Sequence, residues 1–345
     1  MTGDAATGTT PDDSAAVAGR LLAQARLPAL SGIGRLAGGK NNRVFQLDLA
    51  DGGRAVLKRY HVDARDDRDR LGAEWRFLDY VWARGVRNVP QPFACDRGVS
   101  AGLYGFIDGR RLESAEIDAE VVAAAADFVV AINGEPRRPD DLAPGSEACF
   151  SLADHLATVD RRVARLDAID LGAPRGEDAA RFVATRLKPT WTAVRGRILT
   201  AAQQAGLDLA APIGRPVVSP SDFGFHNMLR DAAGRSIFID FEYAGRDDPA
   251  KLVCDFFCQP EVPVPAQFFD GFADRLAGAL ALSDADRHRC TLLLDAYRVK
   301  WVCIILNEFL PLGASRRAFA DSGERAARCA RQLARAETQI APVSA

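Results

Sequence analysis

The sequence predicts an α+β fold in two lobes, a small antiparallel sheet lobe followed by a larger, mainly helical one. Across the first hundred residues, short apolar runs alternate with turn residues, whereas from residue 116 onward apolar residues recur at helical spacing. The length of 345 residues, 48% of them hydrophobic, is enough to fill two packed cores.

Taken in chain order, residues 1–14 are rich in Thr, Asp, Ala and Gly and read as a mobile leader, with a helical stretch from Ala15. The sheet lobe then spans 15–107 and the helical lobe 108–345. Residues 36–47 read as strand, glycine turn, strand. Gly38 and Gly39 let backbone N–H groups approach phosphate oxygens closely, and Asn41 shares that turn. Neither the P-loop pattern nor a dinucleotide-binding glycine fingerprint is present. Residues 54–60 form an apolar strand in which Lys58 follows the hydrophobic residues. Residues 70–81 form a helix whose Leu71, Trp75, Leu78 and Val81 make one apolar stripe, with Glu74 beside it. A strand lysine ordinarily snorkels at an edge and a helix glutamate ordinarily faces water. Paired, they would place an ammonium at the α- and β-phosphates of a nucleotide.

Beyond the segment 103–112 the pattern turns helical over 116–133, 151–166 and 177–199, with a Pro- and Gly-marked loop between the first two. Residues 215–218, 228–229 and 236–239 read as short strands. A turn at 231–235 makes the last two a hairpin, with Asn227 near one end and Asp240 at the other. Residues 265–339 are again helical, and Leu292, Trp301, Ile304, Ile305 and Phe309 supply an apolar face. Cys254 and Cys258 lie among apolar residues on a helix, where packing accounts for them.

The segment 219–227 with 237–243 carries the chemistry. Asp222 and Asn227 are five residues apart, and Asp240 ends an apolar run, the spacing of a phosphoryl-transfer catalytic loop and its metal-holding aspartate. A carboxylate can orient an acceptor hydroxyl and take its proton. Mg²⁺ takes one or two protein oxygens plus phosphate oxygens, which suits Asn227 and Asp240. Singly, loop Asp and Asn residues more often cap helices or close turns. What favours transfer from a nucleotide is that the glycine turn, Lys58 and Glu74 upstream fit the same machine.

In this order of parts, over residues 30–260, the chain resembles the aminoglycoside phosphotransferase and choline kinase superfamily. The resemblance implies a protein-kinase-like fold, ATP and Mg²⁺ as cofactors, and transfer to a hydroxyl of a small metabolite: a sugar, amino sugar, aminoglycoside or amino alcohol. It implies that 103–112 is a hinge, with backbone groups near Gly105 and Ile107 holding adenine. Asp222 would be the base, Asn227 and Asp240 the magnesium ligands, Lys58 the phosphate clamp and Glu74 its partner. Residues 239–245 are similar to the choline-kinase version of the metal motif. One departure is Pro220, where the family usually has a bracing histidine two residues before the catalytic aspartate. His226 falls where the family has a variable or glycine position and is read as structural.

Composition narrows the rest. Lys and Arg number 44 against 46 Asp and Glu, a formal net charge of -2, so there is no bulk attraction to nucleic acid or an anionic membrane. Seven cysteines without a C-x-x-C pair read as reduced thiols, no apolar run is long enough to cross a bilayer, and a cytoplasmic location is expected. Glu242, Asp247 and Asp248 lean slightly toward a cationic acceptor. Two rivals remain. A regulatory nucleotide-binding pseudokinase would commonly lack a catalytic or metal residue, and none is missing. A protein kinase would need H-R-D, D-F-G and A-P-E segments, in place of which this chain has Pro-Ser-Asp, Asp-Phe-Glu and no A-P-E.

Overall fold

The pleat of strand β3 (Arg54–Tyr60) explains how the first lobe is layered. In the computed structural model, which describes residues 11–36, 42–62, 66, 68–134, 141–311 and 325–343, it lies at the centre of a five-stranded antiparallel sheet. The other strands are β1 (Leu30–Leu36), β2 (Asn42–Leu49), β4 (Pro92–Asp96) and β5 (Ala101–Gly105), in the order β1-β2-β3-β5-β4. Alternate side chains leave β3 on opposite faces. Ala55 and Leu57 join Phe45, Leu47 and Leu103 in a core closed by Val17, Ala18, Leu21 and Leu22 of helix α1 (Pro11–Gln24). Their spacing of three and four residues gives α1 a single apolar stripe. Lys58 and Tyr60 leave by the other face, toward helix α2 (Arg70–Ala83). Helix α1 begins at Pro11, inside the segment read as a leader. Gly38, Gly39 and Asn41 lie outside the described residues.

Strand β6 (Gly109–Arg111) follows β5 and pairs with β8 (Met228–Asp231), which pairs in turn with β9 (Ser236–Phe238); β7 (Val217–Ser219) pairs with β10 (Gly245–Asp247). Around them pack α3 (Ala119–Ile132), α4 (Leu152–Arg165), α5 (Gly176–Phe182), α6 (Lys188–Gln204), α7 (Pro249–Cys258), α8 (Phe269–Ala279), α9 (Asp284–Ile305) and α10 (Arg325–Ile340). Side-chain caps set the starts of α3, α4 and α9: Asp118 accepts the Val121 N–H, Ser151 that of Asp154, and Ser283 with Asp286 forms a capping box. A π-helical turn over Val183–Leu187 joins α5 to α6.

The apolar core of this lobe runs without a break into α2. At its centre is a chain of phenylalanines, three of them from the segments 219–227 and 237–243. Phe241 stacks on Phe77 of α2 at 4.4 Å between ring centroids, Phe238 on Phe128 at 4.3 Å, and Phe223 on Phe256 at 5.0 Å. Each such pair contributes about 0.5–1.5 kcal/mol beyond its buried area. The residues beside Asp222 and Asp240 are thereby anchored from below, and α2 is fastened to the Asp240 motif.

Candidate active site

Lys58 sits at the junction of the two lobes. Its neighbours across the sheet are Val44 and Gly102, and only 8% of its surface is exposed. A buried ammonium needs anionic partners. Nζ donates to Oε2 of Glu74 at 2.7 Å and to Oδ1 of Asp240 at 2.7 Å. Burial opposes the charge, but Asp240, Glu74 and Glu242 outweigh it and hold the Lys58 pKa well above its ordinary value. Lys58 stays a cation at any physiological pH.

Glu74 reaches this point because Asp69 caps α2 through the Gly72 N–H at 2.8 Å, fixing the helix start. A Cβ at residue 72 would collide with the Asp69 carboxylate at 1.9 Å, so glycine is required there. The Tyr60 hydroxyl also donates to Glu74 Oε2, at 2.7 Å, and lies 2.8 Å from the Tyr104 hydroxyl. Burial, then the Glu74 charge, raises both phenol pKa values, so the tyrosines remain protonated donors. Sequence periodicity did not reveal this second support for Glu74.

The loop after β7 carries Asp222. Ser221 immediately before it has φ +64° and Asp240 has φ +69°, the left-handed region in which non-glycine residues are strained by about 1–3 kcal/mol. Asn227 Nδ2 donates to the Asp222 carbonyl at 3.0 Å, which leaves Oδ1 as the amide atom for a cation. The Ile239 N–H bonds the Asn227 carbonyl at 2.9 Å. The two chain ends of the hairpin thus lie side by side, with Asn227 and Asp240 at the same edge. Among the described residues no cluster of three or more His, Cys, Asp and Glu side chains could hold a metal. One amide oxygen and one carboxylate fit a Mg²⁺ that arrives with phosphate oxygens and keeps several waters.

Three further residues fasten the Asp240 motif to the sheet lobe. Glu242 is 3% exposed, accepts a bond from Asn42 Nδ2 of β2, and lies 4.0 Å from Nε of Arg70, the first residue of α2. The guanidinium groups of Arg68 and Arg70 flank the Tyr243 ring at 5.3 and 5.9 Å. Asn42 and Glu242 are 200 residues apart, and nothing in either local sequence signals their meeting.

The acidic residues read as attracting a cationic acceptor are all interior. Glu242 is engaged as described, while Asp247 and Asp248 are fully buried. Asp247 accepts from Lys251 and from the Cys149 N–H. Asp248 caps α7 through the Ala250 N–H and holds His155 Nε2 at 3.0 Å and Arg289 Nε at 2.7 Å. Arg162 is partly buried against Glu147. The lean toward amines therefore loses its basis.

His155 provides a pH test of this interior. Its Nδ1 contacts the Tyr297 hydroxyl at 2.7 Å, completing both ring positions. Burial favours the neutral ring, but Cys149 and then the bonded Asp248 outweigh it, raising the pKa from 6.5 to about 9. A raised folded-state value means the stabilisation is complete below pH 6.5 and is lost as pH rises through 9. The expected loss is on the order of 3 kcal/mol. Thermal melts from pH 6 to 9.5 should show it, and the slope should flatten in His155→Gln; identical slopes would exclude a charged His155.

A sheet lobe joined to a helical lobe, with a lysine–glutamate pair facing an aspartate between them, defines a kinase-like fold. The chain belongs to the phosphotransferase enzyme family, whose model matches residues 32–293. No curated protein matches it. Among solved structures, choline kinase from Cryptosporidium parvum is 14% identical, with 90% of each chain covered and a TM-score of 0.55. The macrolide 2′-phosphotransferase MphH from Brachybacterium faecium is 16% identical, with 95% of this chain and 99% of that one covered and a TM-score of 0.54. Choline kinase LicA from Streptococcus pneumoniae is 14% identical, with 94% and 98% covered and a TM-score of 0.55; LicA is also known in complex with AMP. At these identities the likeness is one of fold. No helix among the described residues is long and apolar enough to cross a membrane.

Proposed function

We propose that the protein transfers the γ-phosphoryl group of ATP, with Mg²⁺, to a hydroxyl of a small molecule in the cytoplasm. The observation that carries this reading is the Lys58 ammonium held between Glu74 and Asp240, beside a loop that presents Asp222 and Asn227. Residues 15–107 act as the nucleotide lobe and 108–345 as the catalytic and acceptor lobe. Asp222 orients the acceptor hydroxyl and takes its proton as the oxygen attacks. Lys58 neutralises the α- and β-phosphates, and Glu74 holds it in place. Mg²⁺ on Asn227 and Asp240 would offset charge on the transferring group. Adenine sits at the segment after β5, near Gly105 and Ile107. The Gly105 N–H is bonded to the Gln91 carbonyl at 2.8 Å, so Gly105 contributes through its carbonyl. Gly38, Gly39 and Asn41 are assigned to the phosphates from sequence alone. The AMP bound by LicA supports adenine-nucleotide use, and the choline and macrolide acceptors named for the neighbours support a small hydroxylated acceptor. Sugars, amino sugars, aminoglycosides and amino alcohols define the panel to test. Acceptor-dependent ADP formation, with the phosphorylated product seen by phosphorus NMR, is expected from at least one of these classes. Its absence across all of them would remove the reading.

The Lys58–Glu74 pair gives a quantitative check. Lys58→Ala removes the phosphate clamp, whereas Glu74→Ala leaves Lys58 with Asp240 as a partner, so the first should lower kcat/KM the more. The double variant should cost about as much as Lys58→Ala alone. Strict additivity, with melts showing intact folding, would mean that the two residues do not act together.

A further inference from the structure

Two histidines of the helical lobe, His155 fully buried and His226 partly buried, are held in opposite ways. His155 has a partner on each ring nitrogen, the arrangement expected of a residue kept for stability. His226 does not. Its Nε2 lies 3.3 Å from Oδ1 of Asp222, while its Nδ1 is buried without a hydrogen-bond partner. An orphaned buried nitrogen costs about 1–3 kcal/mol, so a purely structural site would not favour an imidazole here.

The rest of the loop is arranged around that ring. A Cβ at residue 224 would sit 2.8 Å from His226 Nδ1 and 2.8 Å from Gln259 Cγ, so Gly224 is what lets the ring fold back along the loop. Arg111 Nη1 from β6 bonds the His226 carbonyl and fixes the backbone below it. Within the loop, Pro220 has no donor, the Ser221 hydroxyl is buried without a partner, and residues 223–225 are Phe, Gly and Phe. Asn227 spends its amide on the Asp222 backbone. His226 is the loop side chain placed against the carboxylate.

We propose that His226 is a positioning residue for Asp222, its Nε2 set 3.3 Å from Oδ1 so that Oδ2 is presented to the acceptor hydroxyl. This rests on the assignment of Asp222 as the base. The effect is one of orientation: small misplacements of reacting groups can cost up to about a hundredfold in rate.

Three variants and one spectrum test it. His226→Phe and His226→Ala are expected to lower kcat about 10- to 100-fold while KM for MgATP changes less than about threefold and the melting temperature holds. His226→Gln, whose amide can reach the carboxylate, should recover most of the loss. In nitrogen-15 NMR of the full chain, assigned through His226→Gln, the His226 Nε2–H resonance should move in Asp222→Asn and not in His155→Gln. Parental kcat in His226→Phe, or a His226 resonance indifferent to Asp222→Asn, would overturn the proposal. If the NMR contact is present but the parent turns over no acceptor, it is the phosphoryl-transfer reading that fails, and the catalytic part of this inference with it.

Discussion

Asp222→Asn is expected to lower kcat by a hundred- to ten-thousandfold while leaving the affinity for MgATP within about twofold. The range is that of a positioned proton acceptor. The substitution is nearly isosteric and spares both backbone bonds of the residue, the N–H to Pro220 at 2.9 Å and the carbonyl that receives the Asn227 amide at 3.0 Å. What it removes is the capacity to accept a proton, which concerns the acceptor and not the nucleotide. Steady-state rates with any accepted acceptor, together with calorimetric titration of MgATP, separate the two. Near-parental turnover would remove Asp222 from its role.

Asp240→Ala should be as damaging by a different route. It deletes one of two protein ligands from the proposed cation site, where charge stabilisation is worth several kcal/mol, so turnover should fall about a thousandfold. It also takes one of two anions from Lys58 and places alanine at φ +69°. Asn tolerates that backbone better, so Asp240→Asn isolates the lost charge from the strain. In both variants the gain in ATP affinity brought by Mg²⁺ should shrink at least tenfold. Equal Mg²⁺ dependence in variant and parent would contradict the assignment.

Features set by local rules were legible in the sequence. The strand over 54–60, the helix from Arg70 and the 228–238 hairpin each follow from a short-range period or a turn. The order Lys58, Glu74, Asp222, Asn227, Asp240 pointed to one site because each residue lies at the end or on the face of such an element. Two kinds of feature were not legible. Strands β6 (Gly-Arg-Arg) and β10 (Gly-Arg-Asp) contain no apolar residue and so carry no strand pattern. Long-range polar pairings leave no local trace: Asn42 with Glu242, and His155 with Asp248, meet only because the chain has folded. Acidic residues that looked available to a ligand are therefore interior. The His226–Asp222 contact spans only four residues, but depends on Gly224 and on the loop's left-handed start, which spacing alone does not specify.

The fastening of α2 to the Asp240 motif bears on how such a protein can be governed. Displacing α2 would part Arg70 from Glu242, Phe77 from Phe241 and Glu74 from Lys58 in one movement. Breaking one buried charge pair already costs about 3–5 kcal/mol. At the lower figure fewer than about one molecule in a hundred would be found with the helix displaced. The helix is therefore held in its assembled position. An inhibitor or a partner would gain little by pulling on that helix.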